Sequence, residues 1–217
     1  MIGQIEIEND RQLPEEELAN WLSHGIALLF ALIGLPVLIV SAVYQGGAGG
    51  IVGASIFGAT MVLLYFSSTL YHAWPNRPSK KKWQIIDHMA IYFLIAGTYT
   101  PFTLGVLKGP WGWTLLILVW SFALGGVILK AIRGAKGDMF SVALYVAMGW
   151  LLLVAIEPLM LNMSFWGIFW LLGGGFFYTS GVAFYAANRL PFNHFIWHLF
   201  VMAGNASHFI AVLFYAT

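Results

Sequence analysis

Apolar runs long enough to cross a bilayer recur along the chain, each ended by a charged or Gly/Pro break. A hydrocarbon core takes about 20 residues of helix. On that measure seven runs qualify: 21–44, 51–74, 85–107, 111–132, 139–156, 165–187 and 195–215. The connectors are short, "QGGAGG", "PNRPSKKKWQ", "KGP", "RGAKGD", "EPLMLNMS" and "NRLPFN". None is long enough to separate folding units. Residues 1–217 are therefore expected to form a single integral membrane domain, an all-α seven-transmembrane helix bundle behind a polar tail at 1–16. Trp21, Trp74, Trp83, Trp111, Trp113 and Trp166 fall near run ends, where amphipathic rings settle at the headgroup level. "GGAGG" reads as a turn and the glycines at 173–175 as a close-packing patch. Neither follows a strand, so a phosphate-binding loop is a poor reading.

Composition supports the membrane assignment. The chain is 60% hydrophobic and 9% charged, where soluble domains carry about 25% charged residues. It has no cysteine, which excludes disulfides, thiolate metal ligands and a cysteine nucleophile. The start, "MIGQIEIENDRQLPEEE", is acidic, unlike the basic region that opens a signal peptide, so the first helix is expected to be retained. Arg11, Arg77, Lys80, Lys81, Lys82, Lys130, Arg133, Lys136 and Arg189 fall on one side of the expected topology, and only Lys108 on the other. Basic residues favour the cytoplasmic side. The N-terminus is thus expected in the cytoplasm and the C-terminus outside, in a cell inner (plasma) membrane. No nucleic-acid partner is expected. Pro14 and the acids Glu15 to Glu17 suit the start of a helix, and a solvated acidic cap accounts for Glu15 and Glu16.

Ionisable groups inside membrane helices are costly and default to functional candidates. Here they are Glu17, His24, His72, Asp87, His88, His194, His198 and His208, with Glu157 at the far end of the fifth run. In the expected topology all but His208 and Glu157 fall at one depth, in the cytoplasmic leaflet. His208 lies ten residues beyond His198, roughly 15 Å at 1.5 Å per residue. A lone intramembrane histidine is more often a bridge between helices than a ligand. That reading suits His88, beside Asp87, and His208, which faces the bundle interior.

His194 and His198 in "HFIWH" are four apart, one turn of a helix, and can grip one ion. The motif lacks the glutamate of the H-E-x-x-H proteases, so it supplies ligands but no base. His72 is the third ligand by depth. Three histidines with an open position form the ligand set of a catalytic zinc site. Imidazoles also suit copper, nickel or iron. Ser68 lies one turn from His72 on the same face. Asp87 is the candidate to hold or deprotonate a water at the metal.

With these residues in view, the chain resembles the hemolysin III branch of the progestin and adipoQ receptor family, which includes the adiponectin receptors. The matching pieces are "ELANWLSH" (Glu17, Asn20, His24), "SSTLYHAW" (Ser68, His72), "DHMAIYFLIAGTYTPF" from Asp87, and "HFIWH" with the downstream "SHF" at His208. They lie in four of the seven runs, in family order, and the short acidic tail is similar to that of bacterial members. The resemblance implies a seven-helix bundle with a cytoplasmic N-terminus. It implies zinc on His72, His194 and His198, a water held by Asp87, and Ser68 close by. Glu17, Asn20 and His24 would brace the site. The wider superfamily includes alkaline ceramidases, which cleave lipid amides.

Three functions follow as expectations. The first is a zinc-dependent intramembrane hydrolase of lipid amides or esters, with membrane lipids as substrate. The alternative is a non-enzymatic, zinc-stabilised sensor or regulator of membrane lipid homeostasis. The third is a pore-forming cytolysin, disfavoured because no polar stripe crosses the full thickness of the spans.

Overall fold

The computed structural model describes residues 13–45, 47–74, 77–134 and 138–216. Most of the polar tail, with Arg11, and Lys136 lie outside the described residues. Eight helices follow in order: α1 Pro14–Gln45, α2 Gly47–Ala73, α3 Arg77–Leu104, α4 Pro110–Arg133, α5 Asp138–Gly149, α6 Ile156–Asn162, α7 Phe165–Tyr185 and α8 Asn193–Tyr215. Among the described residues there is no strand. Six segments are long and apolar enough to cross a membrane: α1, α2, α4, Met139–Asn162, α7 and α8. α3, at 28 residues, is also long enough, but its course carries Asp87, His88 and several threonines.

Two boundaries differ from the sequence reading. The basic connector before α3 is largely helical from Arg77, so Asp87 and His88 sit well inside a helix rather than at its start. Its lysines lose little rotamer freedom as helix and extend the rod past the apolar section. The fifth run does not end at 156. It breaks at a 3₁₀ turn, Leu151–Ala155, and resumes as α6. A break in apolar surroundings needs partners for its freed backbone groups. Tyr99 of α3 provides them. Its hydroxyl faces the carbonyls of Met148 and Gly149, each at 2.9 Å, and accepts the Leu152 N–H at 2.8 Å.

The helices pack in sequence from α1 to α4, α7 pairs with α8, and α8 closes back on α1. On α1 the inner face is small or polar (Asn20, Ser23, His24, Ala27, Ala31, Gly34), whereas Leu29, Phe30 and Ile33 point outward. In lipid, apolar area gives no preference for the interior, so small residues that allow close approach select the buried face. The α7–α8 contact shows this at 173–175, where the Gly174 backbone lies directly against the His208 ring. Trp21, Trp74, Trp111, Trp113 and Trp166 are exposed near helix ends.

Candidate metal centre

The start of α1, the end of α2 and the start of α8 meet at one end of the bundle. There His72, His194 and His198 each offer a ligand atom, all within 4.8 Å of one another. His72 Nε2, His194 Nε2 and His198 Nδ1 are buried and have no protein partner. Three orphaned imidazole nitrogens facing one point fit a metal ion, and the pairings around them fit it further. The Glu17 carboxylate accepts from His72 Nδ1 at 2.8 Å. The Nδ1 therefore carries the hydrogen and Nε2 keeps its lone pair for a cation, the usual arrangement of a carboxylate behind a metal-binding histidine.

α1 touches each member of this group. Glu17 also accepts from Lys80 Nζ at 2.5 Å, and that ammonium lies 5.3 Å from the Tyr71 ring centroid. The Asn20 backbone is hydrogen-bonded to the His198 ring. His24 stacks on His198, with centroids 3.6 Å apart and planes 7° from parallel. His24 Nδ1 lies 2.7 Å from Ser68 Oγ. Glu16, read from sequence as part of a solvated cap, is buried instead, at 6% exposure. Its carboxylate accepts the His194 backbone N–H at 3.2 Å. That N–H belongs to the open first turn of α8, where an acid satisfies both the donor and the helix dipole. The N-cap there is Phe192, at φ 57, which has no side-chain acceptor to offer, and Glu16 serves from another helix.

Asp87 is buried on α3. Hydroxyls of Ser68 and Ser67 bond its carboxyl group, while Oδ1 has no partner. With His24, Ser68, His88, His194 and His198 it lines a cavity of about 130 Å³. The cavity runs between α3, α5, α7 and α8 past apolar walls such as Leu94, Ile95, Phe102 and Val201, and reaches His208. His72 is not part of its wall. His88 lines the cavity, and its backbone carbonyl accepts from the Tyr145 hydroxyl at 2.8 Å. Lys130, counted from sequence with the basic residues of the loop side, is 1% exposed and also lines the cavity. His208 lies apart from the triad, with Nε2 3.0 Å from the Leu171 carbonyl oxygen.

The sequence reading missed Glu16, Ser67 and Lys80 as site neighbours. Ser67 stands beside Ser68 in "SSTLYH", and the doubled serine was the available signal. Lys80 and Glu16 carried none, since their partners are 63 and 178 residues away in sequence.

A family profile described as "Haemolysin-III related" matches residues 13–209. The chain is 47% identical over 201 residues to "Hemolysin-3 homolog" of Bacillus subtilis (strain 168), covering 93% of this chain and 94% of the relative. It is 46% identical over 204 residues to "Hemolysin-3" of Bacillus cereus, covering 94% and 93%. The human "Monocyte to macrophage differentiation factor" is similar at 29% identity over 203 residues, covering 91% and 83%. Several membrane-length helices, a buried histidine triad able to hold a metal ion and these matches together make this a multi-pass membrane protein that belongs to the haemolysin-III-related family, the hemolysin III branch of the progestin and adipoQ receptor family.

Proposed function

We propose that the protein is a zinc-dependent hydrolase working inside the membrane on amides or esters of lipids. The observation that carries this is the convergence of the three-imidazole set and a carboxylate oxygen without a partner, Asp87 Oδ1, beside one apolar-walled cavity. A structural site would need no such acid. Zinc held by His72, His194 and His198 would supply Lewis acidity toward a carbonyl and toward water.

Asp87 takes a proton from the attacking water as its oxygen adds to the acyl carbon. It returns that proton to the leaving nitrogen or oxygen as the carbon–nitrogen or carbon–oxygen bond breaks. The products are a carboxylic acid and an amine or alcohol. Ser67 and Ser68 hold the carboxyl in place, and Ser68 ties it to His24. Glu17 fixes the His72 tautomer, with Lys80 balancing its charge. The apolar walls receive the chain and keep bulk water from the reacting group. In this reading α3 is the seventh span, the N-terminus is cytoplasmic and the site lies in the cytoplasmic leaflet of the plasma membrane.

The test is turnover of lipid amides and esters by purified protein beside Asp87→Asn. General-base loss should lower turnover by on the order of 10²- to 10⁴-fold, with metal content unchanged. Equal turnover in the two proteins would sink the assignment.

One observation favours a second reading. The triad joins α2 to α8, which make scarcely any direct backbone contact, with α1 packed against both. A metal there ties the bundle together, as a lipid-homeostasis sensor would need. Metal-loaded protein that cleaves no lipid, yet melts at lower temperature after chelation, would favour it.

A further inference from the structure

We propose that His208 is a second recognition point in the cavity, selecting lipids that carry a hydroxyl far along the acyl chain. This rests on the reading that the cavity takes a lipid with its scissile group at the histidine triad.

His208 is 7% exposed and lines the cavity away from the triad. Its Nε2 faces the Leu171 carbonyl at 3.0 Å. A carbonyl can only accept, so Nε2 carries the hydrogen. In a neutral imidazole Nδ1 is then a bare acceptor. It is buried and has no partner. The ring atoms nearest Gly174 are Cδ2, Nε2 and Cε1, so Nδ1 lies on the edge turned away from the α7 backbone.

The polar groups around it are committed elsewhere. The Tyr178 ring lies 5.5 Å from the His208 ring between centroids, but the Tyr178 hydroxyl donates to Asn205 Oδ1 at 2.8 Å. Asn205, one turn before His208, gives its amide to the Tyr65 hydroxyl at 2.8 Å. The Leu171 carbonyl fixes the tautomer, and the neighbouring donors are used in a separate network.

A buried acceptor left bare is costly, and a ligand that brings a donor removes that cost. A plain alkyl chain, a carbonyl or a carboxylate brings none; a hydroxyl does. The position follows from the helix. His208 is ten residues beyond His198, about 15 Å at 1.5 Å per residue, with Val201 among the apolar walls between them. The ligand class is therefore a long-chain acyl amide or ester with a hydroxyl about that far from its carbonyl. A site built to bond a hydroxyl discriminates strongly against the analogue lacking it.

The test uses full-length, metal-loaded Asp87→Asn protein in phosphatidylcholine nanodiscs, so that binding is read without turnover. The probes are saturated long-chain N-acylethanolamines, one unsubstituted and the rest with a single hydroxyl moved stepwise along the chain. One position in the outer part of the chain should bind about tenfold more tightly than the unsubstituted probe. His208→Phe should lose that preference and keep its affinity for the unsubstituted probe. His208→Gln, whose side-chain oxygen still accepts, should keep part of it. Equal binding across the series, with a water serving Nδ1, would overturn the role of His208 and leave the hydrolase reading standing. A hydroxyl preference that survives in His208→Phe would overturn it too. Binding of no probe would overturn the lipid-site reading and this inference with it. The comparison of probes on unaltered His208 decides the matter even if the variants fail to fold.

Discussion

At Glu17 one carboxylate holds His72 through Oε2 and Lys80 through Oε1. The first bond orients a metal-binding ring, and the second supplies the charge that keeps the carboxylate in place. Outer partners of this kind are typically worth 10- to 100-fold in metal affinity. Glu17→Gln should weaken zinc binding by about that factor, measured by competition with a chelator of known affinity. An unchanged affinity would show that His72 is held by packing alone. The spacing of His194 and His198 made the ligand pair visible in the sequence, because one helical turn is a local property. The pairing of Glu17 with His72 was less accessible: the two are 55 positions apart, and the sequence placed Glu17 near the site without naming its partner.

Among the elements, the segment from α5 to α6 departs most from the expected pattern. Hydropathy reads it as one continuous run, since its composition is that of a span. What breaks it is three-dimensional: the 3₁₀ turn frees backbone groups, and a tyrosine hydroxyl some fifty residues earlier satisfies them. Tyr99→Phe removes those bonds and leaves the Leu152 N–H buried without an acceptor. The expected loss is about 1–3 kcal/mol, read as a lowered melting temperature in detergent, while metal content stays at wild-type level. A melting temperature equal to wild type would mean that the break is held by other contacts. α1 shows the opposite case. Its small inner residues and large outer ones were in the sequence, yet its part in the site came from position. Its first three turns pass between α2 and α8, and Glu16, Glu17, Asn20 and His24 meet a different neighbour each.

For the whole molecule, the open quantity is topology in the bilayer. The asymmetry of basic residues and the gathering of the polar cluster at one end point to a cytoplasmic N-terminus with seven crossings. The absence of cysteine makes a direct test clean. A single cysteine replacing Lys108 should react with a membrane-impermeant maleimide added to intact cells, and one replacing Lys81 should react only after lysis. The reverse pattern would invert the orientation, and labelling of both from outside would rule out α3 as a span. The cavity also belongs to this scale. It exists because α5 packs only lightly on α3, α4 and α7, leaving space that the sequence does not advertise.

The sequence by itself determined the membrane class, the lengths of most helices and the residues that converge at one end. These follow from composition, from local periodicity and from the bilayer's fixed thickness. Tertiary structure decided which nitrogens are left for a metal, that Glu16 caps α8 rather than facing water, that Lys130 is buried, and that His208 keeps a bare acceptor on the cavity. Each of these depends on the partner a polar group finds across tens of residues, and a buried polar group is defined by that partner rather than by its neighbours in the chain.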